Sequence, residues 1–193
     1  MVLGPGSASA VPAGGKLGGY DGVNAFGGAP AASGYNYWGW DIARGLAILP
    51  DSTSSSVAGY TLDGYGGMSA FGGATALTAP TYWPGWDIAR GFTLVPDASG
   101  SNASGWVLDG YGGLHPFGGA PTASASYFGW DIARGAATWT GPGSASGGWV
   151  LDGWGGLHSF GSAPAVPAGA YWAGWDIATS LSSADFGSGS RRR

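Results

Sequence analysis

The sequence predicts an all-β fold, and three observations support this prediction. Of the 193 residues, 41 are glycine and 11 are tryptophan, whereas only 9% are charged. Glutamate is absent and lysine occurs only at Lys16, so the chain has few of the straight-chain residues that favour exposed helices. Glycine, serine, aspartate and proline recur every few residues, and they mark frequent turns between short strands. The high hydrophobic content, 44%, indicates a folded chain rather than a disordered one.

Two phrases repeat along the chain with a period of about 45 residues. The first, Trp-Asp-Ile-Ala, begins at Trp40, Trp86, Trp130 and Trp175. The second, Leu-Asp-Gly-aromatic-Gly-Gly, begins at Leu62, Leu108 and Leu151, with a degraded copy from Leu17. Such a period is typical of an array whose units bury their apolar faces against one another.

The repeats predict one domain over residues 1–193. We expect its units at about 1–43, 44–89, 90–133 and 134–178, with a flexible tail over 182–193. In one unit, alternating bulky residues predict a first strand over 86–95 and a second over 105–109. A glycine-rich turn leads to a third strand at 114–118, and 127–131 is read as a short fourth.

Four short strands in a unit of about 45 residues match one blade of a β-propeller. The sequence therefore predicts a four-bladed β-propeller, closed by a C-terminal strand that joins the strands of the first unit. An open array with atypical end units is the alternative. A head-to-tail assembly of chains through the end strands is a further alternative, because those strands would otherwise present unpaired edges.

Repeated charges and tryptophans are expected to be structural. We expect three arginine–aspartate pairs, in the order Arg44 with Asp63, Arg90 with Asp109, and Arg134 with Asp152. Thr179 replaces the fourth arginine and Gly18 replaces the fourth aspartate, and this joint loss favours ring closure at the seam where the two would meet. The tryptophans of the first phrase are expected to fill the core. These are Trp40, Trp86, Trp130 and Trp175.

A resemblance to a known family follows from these phrases. Residues 89–97, Ala-Arg-Gly-Phe-Thr-Leu-Val-Pro-Asp, and 105–109, Gly-Trp-Val-Leu-Asp, resemble the first two strands of an NHL-type propeller blade. The whole repeat is similar to Leu-Asp-Gly-aromatic-Gly-Gly-Leu-His-Pro-Phe-Gly and Tyr-Trp-x-Gly-Trp-Asp-Ile-Ala-Arg-Gly units in bacterial secreted and cell-surface proteins. The resemblance implies lectin-like blades and an extracellular or cell-surface location. It does not imply an activity, because propellers serve as lectins, enzymes and scaffolds.

Aromatic residues beside polar ones predict a carbohydrate site. Sugars stack on aromatic rings while Asp, Asn or His side chains bind the hydroxyls, and a repeated pocket adds avidity. Pairs such as Tyr82-Trp83 also recur ahead of each Trp-Asp phrase. Alternatively, the rings belong to the core and the histidines are polar turn residues. The predicted ligand-binding residues are Tyr65, Tyr111, Trp154, Asp63, Asp109, Asp152, His115 and His158.

Catalysis has little support in the sequence. There is no cysteine nucleophile, no glutamate acid and no serine in a nucleophile elbow, and near-identical units do not favour a single asymmetric active site. We therefore expect no enzyme activity, no catalytic residue, no bound metal and no cofactor. The formal net charge of −4 argues against a nucleic-acid partner. No apolar run is long enough to span a bilayer, so we expect no membrane insertion.

These observations favour a non-enzymatic extracellular module that binds a glycan or cell-surface polysaccharide. The alternative is a structural repeat protein that self-assembles through its end strands into an oligomer or filament. Exposed aromatic rings beside polar groups would favour the first, and a low-charge surface buried between chains would favour the second.

Overall fold

A computed structural model of the protein describes residues 13–20, 22–139 and 147–183. Within these ranges every regular element is a β-strand, and eleven strands form four antiparallel sheets. The all-β prediction is confirmed. The tail expected at 182–193 lies outside the described residues from 184 onwards.

The first sheet has two strands and the other three sheets have three each. The first sheet contains β1 (Ala13–Leu17) and β2 (Val23–Gly27). The second contains β3 (Ala43–Ile48), β4 (Gly59–Asp63) and β5 (Met68–Phe71). The third contains β6 (Ala89–Leu94), β7 (Gly105–Asp109) and β8 (Leu114–Phe117). The fourth contains β9 (Ala133–Thr138), β10 (Gly147–Asp152) and β11 (Leu157–Gly161).

Each three-stranded sheet is a simple meander in which the second strand lies in the middle. We call β3, β6 and β9 the inner strands, because they pack against one another from sheet to sheet. The fourth strand expected at 127–131 is wrong, since these residues form an extended loop that ends in a bend. Gly129 has a φ of 72°, a left-handed conformation that interrupts a strand at this point.

Backbone hydrogen bonds connect the turn of each three-stranded sheet to the start of the segment that follows the next Trp-Asp phrase. Gly64, which follows Asp63 in the second phrase, accepts hydrogen bonds from the N–H groups of Ile88 and Ala89 at 2.9 and 3.0 Å. Gly110 accepts the same pair of bonds from Ile132 and Ala133, and Gly153 accepts them from Ile177 and Ala178. The Leu-Asp-Gly phrase of one sheet and the next Trp-Asp-Ile-Ala phrase therefore form the two halves of one contact.

The hydrophobic core lies between successive sheets. Leu62 of the second sheet clusters with Ala89, Val107 and Phe117 of the third. Another cluster joins the third sheet to the fourth, and there the Trp106 and Phe160 rings meet edge to face at 5.4 Å. As the repeat pattern implies, a unit buries its apolar side chains against its neighbours rather than within itself.

Sheets follow one another in a row from the first to the fourth. β1 packs against β3, β3 against β6, and β6 against β9. Across the described ranges, no strand pairing joins the fourth sheet back to the first. The structure therefore establishes a row of antiparallel sheets.

The tryptophans of the first phrase are not core residues, so that prediction is wrong. Trp40, Trp86, Trp130 and Trp175 are 46%, 50%, 47% and 69% exposed. The isoleucine two residues later enters the core instead, as Ile88 shows with 3% exposure. Side chains alternate between the two faces of a sheet only within an extended strand. The tryptophan comes before the strand begins, so it lies outside this alternation and its side chain remains at the surface.

Candidate functional site

The glycine-rich turn holds its aromatic side chain in a defined position. In the second sheet, Asp63 Oδ1 accepts hydrogen bonds from the backbone N–H groups of Tyr65 and Gly67, both at 2.9 Å. Gly66 between them has a φ of 88°, which favours glycine. The turns that begin at Asp109 and Asp152 repeat this arrangement. The aspartates predicted as sugar ligands therefore use one carboxylate oxygen to build the turn.

Each turn aromatic lies between two further rings from neighbouring loops. Tyr65 lies 5.7 Å from Trp40 and 6.2 Å from Tyr82, measured between ring centroids. We call these groups of three the aromatic clusters. The second cluster consists of Trp86, Tyr111 and Tyr127, with separations of 6.0 and 5.9 Å. The third consists of Trp130, Trp154 and Tyr171, with separations of 5.6 and 6.4 Å.

Local backbone contacts bring the outer ring of each cluster to the turn. The N–H of Phe128 donates to Tyr111 O at 2.8 Å, which places Tyr127 beside the turn aromatic. Trp83 and Trp172 donate to Tyr65 O and Trp154 O in the same way. The central ring of each cluster is half-buried, whereas the flanking tryptophan and tyrosine are exposed. An aromatic surface therefore recurs at the turn of each three-stranded sheet.

The two histidines predicted as ligand-binding residues, His115 and His158, contact other side chains of the protein. His115 Nε2 lies 2.8 Å from Asp109 Oδ2, and the His115 ring packs edge-on against Trp83 at 5.0 Å. His158 repeats both contacts, with Asp152 at 2.8 Å and with Phe128 at 4.8 Å. Each histidine thus joins its own turn to the loop of the preceding unit. The histidines themselves lie in β8 and β11, and each contacts the aspartate that builds the turn before its strand.

The histidines also change the electrostatics of the turn. Burial raises the pKa of Asp109, but the hydrogen bond to His115 and those from the Gly113 and Tyr111 N–H groups outweigh burial, so the pKa lies below its usual value. The pKa of Asp152 is lowered for the same reasons. Asp63 has Ser69 in place of the histidine, and burial raises its pKa above the usual value.

The repeated arginines have partners other than those predicted. Arg44 Nε donates to Asp87 Oδ1 at 3.1 Å, and its guanidinium forms an ion pair with the same carboxylate. Arg90 pairs with Asp131 and Arg134 pairs with Asp176 in the same way. The expected pairing with Asp63, Asp109 and Asp152 is wrong. Each arginine instead reaches the aspartate of the next Trp-Asp phrase along the chain.

A β-bulge explains this choice of partner. The register shifts between Ala43 and Gly45 of β3, which leaves Arg44 as the extra residue, and β6 shifts in the same way around Arg90. A bulge redirects the side chain of its extra residue. The argument for ring closure from Thr179 and Gly18 also loses its basis, because Gly18 does not occupy the position of an arginine partner.

The site residues were only partly recognisable from the sequence. Tyr65, Tyr111 and Trp154 do lie in a recurring aromatic surface. The neighbouring tryptophans were assigned to the core. However, a tryptophan that recurs directly before an aspartate indicates a position near the surface. The recurring tyrosines ahead of each Trp-Asp phrase were noted but not placed in the site. These missed residues are Trp40, Trp86, Trp130, Tyr82, Tyr127 and Tyr171.

Two further observations concern metals and membranes. Among residues 13–20, 22–139 and 147–183, no three His, Asp, Glu or Cys side chains gather closely enough to bind a metal ion. In the same part of the chain, no helix has the length and apolar character needed to cross a bilayer. Comparisons of the chain with family models, with curated proteins and with solved structures find no match.

Proposed function

We propose that this chain is a non-enzymatic extracellular module that binds carbohydrate through its three aromatic clusters. The observation that supports this function is the exposure of the flanking rings. Trp86 is 50% exposed and Tyr127 is 72% exposed, and both rings lie about 6 Å from the centroid of Tyr111. Large apolar rings that recur at the surface of a soluble protein mark an interaction site.

The chemistry of each cluster suits a sugar. The C–H face of a pyranose ring stacks on an aromatic ring, whereas its hydroxyls need polar groups at the edge of that ring. Asp87 follows Trp86 directly in sequence, and its side chain keeps 39% exposure while it pairs with Arg44. Asp41 and Asp131 follow the tryptophans of the other two clusters. We assign hydroxyl recognition to these aspartates rather than to Asp63, Asp109 and Asp152.

Repetition favours a long ligand over a small one. Each of the three similar clusters is expected to bind sugar weakly. Because the clusters are linked in one chain, their combined affinity for a long ligand is well above that of each cluster alone. A glycan chain or cell-surface polysaccharide is therefore the proposed ligand, and an isolated monosaccharide is expected to bind weakly. The three aromatic clusters do not depend on closure of the sheets into a ring.

A closed four-bladed propeller would require residues 177–183 to join β1 within the same chain. Ring closure therefore stays a prediction.

The test is a carbohydrate binding panel with matched variants. The wild-type protein is titrated with soluble bacterial and plant polysaccharides by affinity electrophoresis and calorimetry. We expect Trp86→Ala to weaken polysaccharide binding by about tenfold, which corresponds to about 1.4 kcal/mol. Tyr37→Ala is the control, because Tyr37 is as exposed as Tyr127, at 72%, but lies outside the three clusters. We expect this variant to bind like the wild type.

Two results would contradict the proposal. The first is a wild-type protein that binds no polysaccharide in the panel. The second is an equal loss in Trp86→Ala and Tyr37→Ala, since this would show that binding does not use the clusters. Circular dichroism of each variant separates lost binding from lost folding.

A further inference from the structure

In the described part of the chain, the first sheet lacks a strand that the other three sheets contain. β1 occupies the place of the middle strands β4, β7 and β10, because its Leu17 aligns with the leucine of the second phrase. Each of those middle strands pairs with an inner strand on one side and an outer strand on the other. In the described part of the chain, β1 pairs only with β2. Among the described residues, one edge of β1 is therefore open.

Residues 177–183 form the complementary half of such a sheet. They follow the fourth Trp-Asp phrase, as β3, β6 and β9 follow the earlier ones, and they lie against β9. The N–H groups of Ile177 and Ala178 donate to Gly153 O at 2.8 and 2.9 Å, which repeats the bonds that Ile88 and Ala89 make to Gly64 O. The segment therefore starts in the same way as an inner strand.

Two further contacts place the rest of the segment in the same position. A Cβ atom added to Gly45 would lie 2.9 Å from the Phe92 ring of the next inner strand, and one added to Gly135 would lie 3.0 Å from Leu181 N. Thr138 Oγ1 donates to Leu94 O at 3.0 Å, and Ser183 Oγ donates to Thr138 O at 2.6 Å. Residues 177–183 thus contact β9 as β9 contacts β6.

The exposure of equivalent residues shows which surfaces lack a neighbour. Phe26 is 52% exposed, whereas the equivalent Phe117 is 4% and Phe160 is 2% exposed. Phe160 is buried because it packs on Trp106 of the preceding unit. At the other end of the row, Ile177 is 49% exposed, whereas Ile88 is 3% exposed. Side chains that are buried in the middle of the row are therefore open at both ends.

A groove lies beside the segment where further strands would fit. It has a volume of about 360 Å³, and Leu151, Leu157, Trp172 and Leu181 contribute to its lining. Its position next to residues 177–183 corresponds to that of the middle and outer strands in a complete sheet. A two-stranded hairpin that lacks an inner strand is the expected occupant.

We propose that the β1–β2 hairpin of one copy docks in this groove on a second copy, where residues 177–183 become its inner strand. Addition of a strand to an open sheet edge supplies backbone hydrogen bonds, and the apolar side chains of the two ends supply specificity. The occupant is a second copy because the first and fourth sheets are at opposite ends of the row in this structure. The contact is head-to-tail, so it can extend to longer assemblies.

The charges at this junction predict its strength. Within the chain, the arginine after each Trp-Asp-Ile-Ala phrase pairs with the aspartate of the next phrase, as Arg44 does with Asp87. At the junction, the arginine position holds Thr179 and the following aspartate is Asp41 of the other copy. Asp41 has a side chain that is 68% exposed and contacts only its own Arg44, at 3.4 Å, among the ion pairs of the described residues. The junction therefore lacks one ion pair that the contacts within the chain have.

The test uses opposite charges at this one position. Mass is measured by sedimentation velocity and light scattering over a concentration series for the wild type, Thr179→Arg and Thr179→Glu. We expect the wild type to associate reversibly and Thr179→Arg to lower the dissociation constant about tenfold, since it restores the ion pair to Asp41. We expect Thr179→Glu to weaken association, because it places a like charge opposite Asp41. Both substitutions are at an exposed position, so folding is expected to be unchanged.

Two outcomes would overturn the proposal. One is a constant monomer mass for all three proteins at every concentration, which is also what closure within one chain would produce. The other is equal association of Thr179→Arg and Thr179→Glu, which would locate the interface elsewhere. Association of Thr179→Arg that Asp41→Asn removes would confirm the pairing. Thr179 belongs to no aromatic cluster, whereas Asp41 follows Trp40 of the first cluster. Carbohydrate binding is therefore compared between the wild type and the two Thr179 variants only, and in these proteins binding and assembly can fail independently.

Discussion

The first and third sheets carry the same aromatic-Gly-Gly phrase but bury it differently. Phe26 in β2 is about half exposed, whereas Phe117 in β8 is buried. Phe117 clusters with Leu62 of the second sheet and with Val107 beside it. Among the described residues, the first sheet has a neighbouring sheet on one side only, where β1 packs against β3. The difference shows that a side chain in this fold owes its burial to the adjacent unit, as expected for a chain of nearest-neighbour contacts.

The largest effect that separates the two sheets should come from these phenylalanines. We expect Phe117→Ala to lower the free energy of unfolding by about 3 kcal/mol, because it leaves a cavity between two sheets. Phe26→Ala should cost less than about 1 kcal/mol in dilute solution, because its ring is already half in water. Urea denaturation followed by tryptophan fluorescence measures both. Similar losses would break the comparison and show that Phe26 is covered in solution.

A smaller effect is expected from the aspartates of the first phrase. Asp131 in the middle of the row accepts hydrogen bonds from Arg90 at 3.0 Å and from Arg134 at 3.2 Å. Asp41 at the start of the row is far more exposed, and among the described residues its only ion pair is with Arg44. We expect Asp131→Asn to cost about 1–2 kcal/mol, and Asp41→Asn to change stability by less than about 0.5 kcal/mol.

Ionic strength provides a further test of the difference in stability between Asp131→Asn and Asp41→Asn. The ion pairs of Asp131 are partly exposed, so raising the ionic strength should reduce the difference between the two variants. Thermal unfolding of both variants at low and high salt measures the change. A cost for Asp41→Asn that equals that for Asp131→Asn would mean that Asp41 has a second partner in solution.

The smallest effect should distinguish the second and third sheets by pH. Asp109 has a pKa below the usual 3.8, so its stabilisation is fully present above that value and is lost as the pH falls through its folded-state pKa. Asp63 has a pKa above 3.8, so its ionised form opposes folding, and this penalty disappears as the pH falls towards 3.8. At pH 6 we expect Asp109→Asn to cost about 1 kcal/mol and Asp63→Asn to cost nothing.

Stability measured from pH 6 to pH 3 checks these signs. The difference between the wild type and Asp109→Asn should shrink as the pH falls below 3.8. Asp63→Asn keeps a carbonyl oxygen that can accept the Tyr65 and Gly67 N–H groups, which makes it a matched control for the turn itself. Equal losses at pH 6 would show that the turn hydrogen bonds, rather than the contact with His115, determine the cost.

Much of the local structure was predictable from the sequence. The alternation of bulky residues located the strands around Phe92 and Val107, and the Asp-Gly-aromatic-Gly-Gly phrase predicted the turn after each middle strand. The fourth strand was not predictable in this way, because Tyr127 and Phe128 have strand-like character but the glycine after them adopts a left-handed conformation. Local pattern alone could not show that conformation.

Partners between units were harder to predict. Arg44 was matched to Asp63 of the neighbouring strand β4, although the β-bulge directs it to Asp87 of the next Trp-Asp phrase. The exposed Trp86 was assigned to the core because a large apolar side chain is usually buried. Both errors concern the direction of a side chain, which depends on where a strand begins and where its register shifts. The sequence pattern does not locate the strand start or the register shift to a single residue.

The sequence by itself determined the repeat, the all-β class, the first three strands of a unit and the glycine-rich turns, because these depend on residue type and short-range spacing. Only the tertiary structure decided which rings meet, which carboxylate each arginine reaches and which surfaces remain open. Those outcomes arise from contacts between units, and the same residue has a different environment in the middle of the row and at its ends. Phe117 and Phe26 show this most directly. Both belong to the same aromatic-Gly-Gly phrase, but Phe117 packs against the preceding sheet, whereas among the described residues Phe26 has no preceding sheet to pack against.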